Sequence, residues 1–130
     1  MIQYKTDRIR DEFPRIHPKL QHLLHWLDLW SVQRTGYDAV ITTLIRTPAE
    51  HQAIYPGQVP PPLTPHIDGR GADLRSSNYT PEQIDLMVAD CNAAFPRTDG
   101  KPTLLFHKIS TSVFHLHAQV PADEWRLSPA

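Results

Sequence analysis

Thirteen prolines in a chain of 130 residues are about twice the usual ~5% share. They punctuate the chain, because proline lacks an N–H and clashes inside a helix or a central strand. Three of them stand where a helix can begin. Pro18 follows His17, Pro48 follows Thr47 and Pro81 follows Thr80, and at the first helical position the missing N–H has no partner to lose. Glu50 and Gln83 lie three residues beyond Thr47 and Thr80, which completes two capping boxes. The first helix carries Leu20, Leu23, Leu24, Leu27 and Trp30 at three- and four-residue spacing and stops at Gly36. The second runs to about Tyr55, before Pro56 and Gly57. The third carries Ile84, Met87, Val88 and Cys91 and closes at Phe95-Pro96.

Between these helices lie strand signals. Residues 39–45 are rich in β-branched side chains and long enough for a buried strand, with Arg46 at its exit. Residues 58–65 hold four prolines and read as a stiff, extended connector that delivers His66. Residues 72–75 suit a short strand. After the Asp99-Gly100 turn, residues 103–109 and 113–120 read as a terminal hairpin joined by Ser110-Thr111-Ser112. Residues 1–16, of mixed charge and little periodicity, are expected as an arm on the surface, and residues 121–130 as a tail held partly through Trp125. The sum is a single α+β domain over residues 1–130, with a small, mainly antiparallel sheet and flanking helices.

Composition narrows the function classes. Apolar residues at 40% and charged residues at 21% argue for an ordinary soluble fold over disorder. A net charge of -1 with neither sign clustered argues against a nucleic-acid module, which needs a basic stripe. No run is long enough to cross a bilayer, and the first residues do not read as a secretory signal, so the chain is expected to be cytoplasmic on synthesis. The single cysteine, Cys91, rules out an internal disulfide or a multi-cysteine zinc module and sits at core spacing. Eight histidines make metal or acid-base chemistry the first thing to seek. His22 and His25 share a helical face with no acidic or cysteine partner nearby, and read as a solvated or half-buried face. The triple proline at 60–62, with nothing basic close by, reads as a connector and not as a ligand for an SH3-type domain.

Two places carry the chemistry. In residues 64–75, His66 and Asp73 lie seven apart around Gly69 and Gly71. The glycines permit a sharp turn, so an imidazole leaving the loop and a carboxylate entering the strand can face a common point. In His115-Leu116-His117 both imidazoles project from one face of a strand. Two nitrogens and one carboxylate oxygen leave one position open on a tetrahedral zinc, the layout of a catalytic site.

These residues resemble the signature Ser-x-His-x-x-Gly-x-Ala-x-Asp of the zinc D-alanyl-D-alanine carboxypeptidases and phage L-alanyl-D-glutamate endopeptidases, peptidoglycan peptidases related to the hedgehog-like fold. Here it reads Thr64, His66, Gly69, Gly71 and Asp73. The family keeps a second histidine ligand late in the chain, often within His-x-His, and residues 41–48 resemble the strand and arginine that precede its first ligand. The resemblance spans roughly residues 38–120. It implies zinc ligands His66, Asp73 and His117, Arg46 as a residue that positions substrate, and peptidoglycan stem peptides as substrate. Arg46 also suits that role chemically, since a guanidinium forks onto a carboxylate. Thr64 and Gly71 stand where the signature has Ser and Ala, and one further departure matters: residues 109–114 lack the glutamate that commonly serves the family as general base. His115, on the ligand-bearing face, and His107, on the neighbouring strand, are the candidates to replace it. Three function classes follow: a zinc metallopeptidase, such as a phage or prophage endolysin released to the wall through a holin pore or a cytosolic recycling peptidase; a zinc-binding but inactive phage structural or assembly protein; and a metal-free interaction domain.

Overall fold

The computed structural model describes residues 1–58, 64–108 and 114–128; the triple proline and the connection 110–112 lie outside them. Strands β1 (Gln3–Tyr4), β2 (Val40–Thr43), β3 (Gly71–Leu74), β4 (Leu104–Lys108) and β5 (Phe114–Gln119) form one mixed sheet in the order β1-β2-β3-β5-β4. Only β1 and β2 run parallel; the other pairings are antiparallel. Helices α1 (Asp7–Glu12), α2 (Pro18–Thr35), α3 (Pro48–Ile54) and α4 (Pro81–Ala94) complete an α+β architecture. Both threonine capping boxes form, each with its reciprocal backbone and side-chain hydrogen bonds.

Strand alternation divides the sheet into two faces. On one face Ile41, Leu74, Leu116 and Leu104 are buried with Leu20, Leu23, Leu24 and Leu27 of α2 and with Met87 and Cys91 of α4. Removing one such fully buried leucine costs about 2 to 5 kcal/mol, depending on how far the cavity collapses. On the other face stand Asp73, His115 and His117. The sheet register places Asp73 opposite His117, Leu105 opposite His117 and His107 opposite His115. Every residue of β3 is buried, because it lies between β2 and β5 and is covered on both faces.

Residues 1–16 are not a surface arm. They supply β1, α1 and a 3-10 turn (Phe13–Arg15), and bury Ile2, Ile9 and Ile16 in the core. Glu12, also buried, accepts from the Ile45 backbone N–H at 3.2 Å and from Arg8 Nε at 2.9 Å, which fixes the chain just ahead of Arg46. Residues 121–128 form no helix or strand. Trp125 lies against the His17 ring, 4.9 Å between centroids, and over Gly69.

Candidate metal centre

His66 stands in the turn over residues 65–69 that leads into β3. Gly69 holds a left-handed φ of 71° there, and a side chain at that position would meet Trp125 at 3.1 Å. Asp68 accepts from Arg70 Nε at 2.7 Å, and Arg70 Nη1 donates to the Val120 carbonyl at 3.0 Å. This buried, bonded pair ties the loop to the end of β5. Gly71 is required by close approach: a Cβ there would stand 2.8 Å from Pro65 Cβ and 3.3 Å from His117 Cε1.

Three imidazoles surround one buried carboxylate. His66 Nε2 lies 3.1 Å from Asp73 Oδ2, while His115 Nε2 and His117 Nδ1 lie 3.1 and 3.0 Å from Asp73 Oδ1. Burial pushes the Asp73 carboxyl upward, but hydrogen bonds from His117 and His66 and the nearby imidazoles outweigh it and hold the group below the usual carboxylate range. Burial also lowers His115, joined by the imidazoles of His107, His117 and His66, against the opposing pull of Asp73. His115 is therefore neutral at pH 7.

Hydrogen-bond acceptors stand on the far side of two rings. His66 Nδ1 lies 2.8 Å from the Leu44 carbonyl, which can only accept, so the hydrogen sits on Nδ1. The Gln119 amide nitrogen donates to the Pro102 carbonyl at 2.9 Å, which turns its oxygen toward His117 Nε2 at 3.2 Å. His117 therefore has an acceptor on its far side for a hydrogen on Nε2. Without a cation, the nitrogens that face Asp73 donate to its carboxylate. A cation in the cluster would displace those hydrogens, and the far-side acceptors would leave the freed lone pairs turned inward as a ligand set. Imidazoles that donate their second N–H to a carbonyl are the usual companions of a bound metal. The ligand atoms of His66, Asp73 and His117 all lie within 4.8 Å of one another, and ligands on a tetrahedral zinc stand ~3.3 Å apart. This group could hold a metal ion, and its donors fit one that accepts nitrogen and oxygen together. The site sits on the central strands β3 and β5, not at the sheet edge where a meeting of the glycine loop with the last hairpin would put it.

A cavity of about 650 Å³ opens over the cluster, and Arg46, His107 and His115 line it as well. Arg46 is half-buried, and its backbone N–H donates to the His66 carbonyl at 3.1 Å. Among the described residues no carboxylate pairs with its guanidinium. His107 is exposed, with its ring 5.2 Å from that of His115. Sequence reasoning missed His51, Tyr55, Gln58 and Leu105, which also line the cavity. His51 is 2% exposed; its Nε2 meets Gln58 Oε1 at 2.5 Å, and its Nδ1 has no hydrogen-bond partner among the described residues. Its place four residues before Tyr55 on a short helix was the available signal. Gln119 was missed too, although it lies two residues beyond His117 and so on the same strand face. His22 and His25 are exposed and contact Phe95 and Phe13, away from this site.

No model of a known protein family matches the chain, and no curated protein matches it.

Proposed function

We propose that the chain is a zinc metallopeptidase with a hedgehog-like fold that hydrolyses peptide bonds in peptidoglycan stem peptides. The observation that carries this reading is the His66, Asp73 and His117 set, with two imidazoles turned onto one carboxylate at the floor of an open cavity and each bonded on its far side. Zinc and the stem-peptide class rest on the signature that the chain resembles. Zinc, when bound, supplies Lewis acidity toward a carbonyl oxygen and acidifies water.

The protein's own groups have separate tasks. His66 and His117 are held from their far sides, so little reorientation of the rings is needed as ligands engage. Arg46, lining the cavity without a carboxylate partner among the described residues, binds a stem-peptide carboxylate through its fork. His115, neutral at pH 7 and within the cavity wall, accepts a proton at a ring nitrogen. A second reading, a zinc-binding but inactive phage structural or assembly protein, is favoured by one observation. Apart from Asp73, no carboxylate lines the cavity among the described residues.

Digestion of purified peptidoglycan with mass spectrometry of the products, alongside elemental analysis of the protein, tests both readings. Cleaved stem peptides with one zinc per chain support the peptidase. His115→Ala is then expected to keep zinc and lose ~10²- to 10⁴-fold in rate. Full zinc occupancy without cleavage of any muropeptide makes the binder correct, and zinc retained in the alanine variants of His66, Asp73 and His117 removes the metal assignment. Activity that survives His115→Ala but not His107→Ala moves the base to β4.

A further inference from the structure

Strands β4 and β5 place His107 directly opposite His115, and both rings line the cavity without belonging to the His66, Asp73 and His117 set. Their ring centres lie 5.2 Å apart, with the planes at 78°. With Zn–N at about 2.0 to 2.1 Å and a ring centre about 1.1 Å beyond the nitrogen, two imidazoles on one tetrahedral ion have centres about 5 Å apart. The rings of His66 and His117 show nearly the same separation, 5.1 Å. Opposite residues on antiparallel strands project from one face, so sheet register holds the pair together. The nitrogens suit an ion as well. His115 Nε2 stands 3.1 Å from Asp73 Oδ1, which keeps the hydrogen of the neutral ring on Nε2 and leaves the lone pair on Nδ1. A carboxylate behind a histidine in this way is the usual support of a metal ligand. Among the described residues, His115 Nδ1 and both nitrogens of His107 have no hydrogen-bond partner. His107 is exposed, so the pair is open to ions from solvent.

We propose that His107 and His115 form a second divalent-cation site, weaker than the first, and that an ion held there withdraws His115 from proton transfer. Two imidazoles completed by water select zinc, nickel or copper over magnesium or calcium. The site is weaker for two reasons. It offers two protein ligands in place of three, and a first ion, only half neutralised by Asp73, repels a second cation across the His115 ring. The regulatory half rests on the peptidase reading: the lone pair that would accept a proton is bonded to the ion, so excess zinc stops hydrolysis while the first ion stays in place. The binding half stands without any peptidase activity.

The test is an NMR titration of the metal-free, full-length protein with zinc chloride, followed through the imidazole C–H signals of each histidine. The first equivalent is expected to move His66 and His117, and a second, at least about tenfold weaker, to move His107 and His115 together. His107→Gln, at an exposed position where folding is not at stake, should remove the second event and leave the first. Saturation after one equivalent overturns the site, as does a second event that persists in His107→Gln. Second-equivalent shifts at the exposed His22 and His25 of α2 in place of the pair also overturn it. Shifts at His107 and His115 with none at His66 and His117 keep this site and remove the first, so the two assignments fail separately. On stem peptides, wild-type hydrolysis should fall as the second ion binds and recover after dialysis back to one equivalent. Hydrolysis undiminished with His107 and His115 saturated overturns the regulatory half.

Discussion

Replacing Gln119 by Ala tests whether the candidate metal centre is prepared by bonds on the far side of its imidazoles. In the folded protein the Gln119 oxygen accepts from His117 Nε2 at 3.2 Å, and the amide is held in that orientation by donation to the Pro102 carbonyl at 2.9 Å. Alanine removes the acceptor. The ring then favours the tautomer with its hydrogen on Nδ1, the atom 3.0 Å from Asp73 Oδ1, and a metal must displace that hydrogen without an acceptor on the far side to take its place. One such bond contributes about 0.5 to 1.5 kcal/mol net, which at 1.4 kcal/mol per decade is roughly a two- to twelvefold weaker metal. Loss of ring orientation adds to this, and outer partners of this kind typically account for 10- to 100-fold. The expected result is a zinc dissociation constant raised about tenfold, measured by competition with a chromophoric chelator. Gln119→Glu keeps an acceptor at the same place and should retain most of the affinity. An unchanged dissociation constant in Gln119→Ala refutes the tautomer argument. A loss as complete as that of His117→Ala refutes it too, because Gln119 would then be holding the fold and not the ring.

Gly71→Ala should destabilise the protein by about 1 to 3 kcal/mol and weaken metal together with stability, because the new Cβ meets Pro65 at 2.8 Å and the His117 ring at 3.3 Å; chemical denaturation and metal titration check both. Arg8 bonds to Glu50, reinforced by the Thr47 backbone, and together they hold the Glu50 carboxyl down at about 2 against an ordinary 4.5. That pair therefore stabilises above pH 4.5, and its contribution fades as pH falls toward 2. Glu50 is 43% exposed, so screening limits the contribution to under ~1 kcal/mol. Glu50→Gln, which can keep the capping box as Gln83 does in α4, should flatten that part of the stability curve in acid-titrated denaturation. Burial pushes the Cys91 thiol up to about 12, so Ellman's reagent should find no reactive thiol in the native protein and one after unfolding in guanidinium.

The elements legible in the sequence are those whose cause is local. Thr47-Pro48-Ala49-Glu50 and Thr80-Pro81-Glu82-Gln83 specify helix starts through bonds that close within four residues, and both form. β1 was not legible because two residues, Gln3 and Tyr4, carry no periodicity; they become a strand by pairing with Val40 and Ile41 more than thirty residues away. The core positions Ile2, Ile9 and Ile16 are hidden for the same reason, since their spacing crosses a strand, a helix and a turn. Mixed charge around them reads as surface, yet Glu12 is buried because the Ile45 N–H and Arg8 satisfy it.

The site divides along a different line. Which side chains carry chemistry is written in residue identity: a strand alternates its faces, so His115 and His117 had to share one, and the loop glycines allowed His66 to meet Asp73. What makes the cluster suited to a metal is the direction of the lone pairs, and that depends on the carbonyls of Leu44 and Pro102. Every residue has a carbonyl, so such partners leave no mark on the sequence. The exception is Gln119, a side chain placed two residues past a ligand on the same face, where strand alternation points to it directly. Gly71 shows how backbone packing dictates a residue. A side chain there has no room with the Pro65 Cβ 2.8 Å from the position of its Cβ. The close approach that glycine permits lets the His66 loop lie against the His117 ring, 5.1 Å between their centroids.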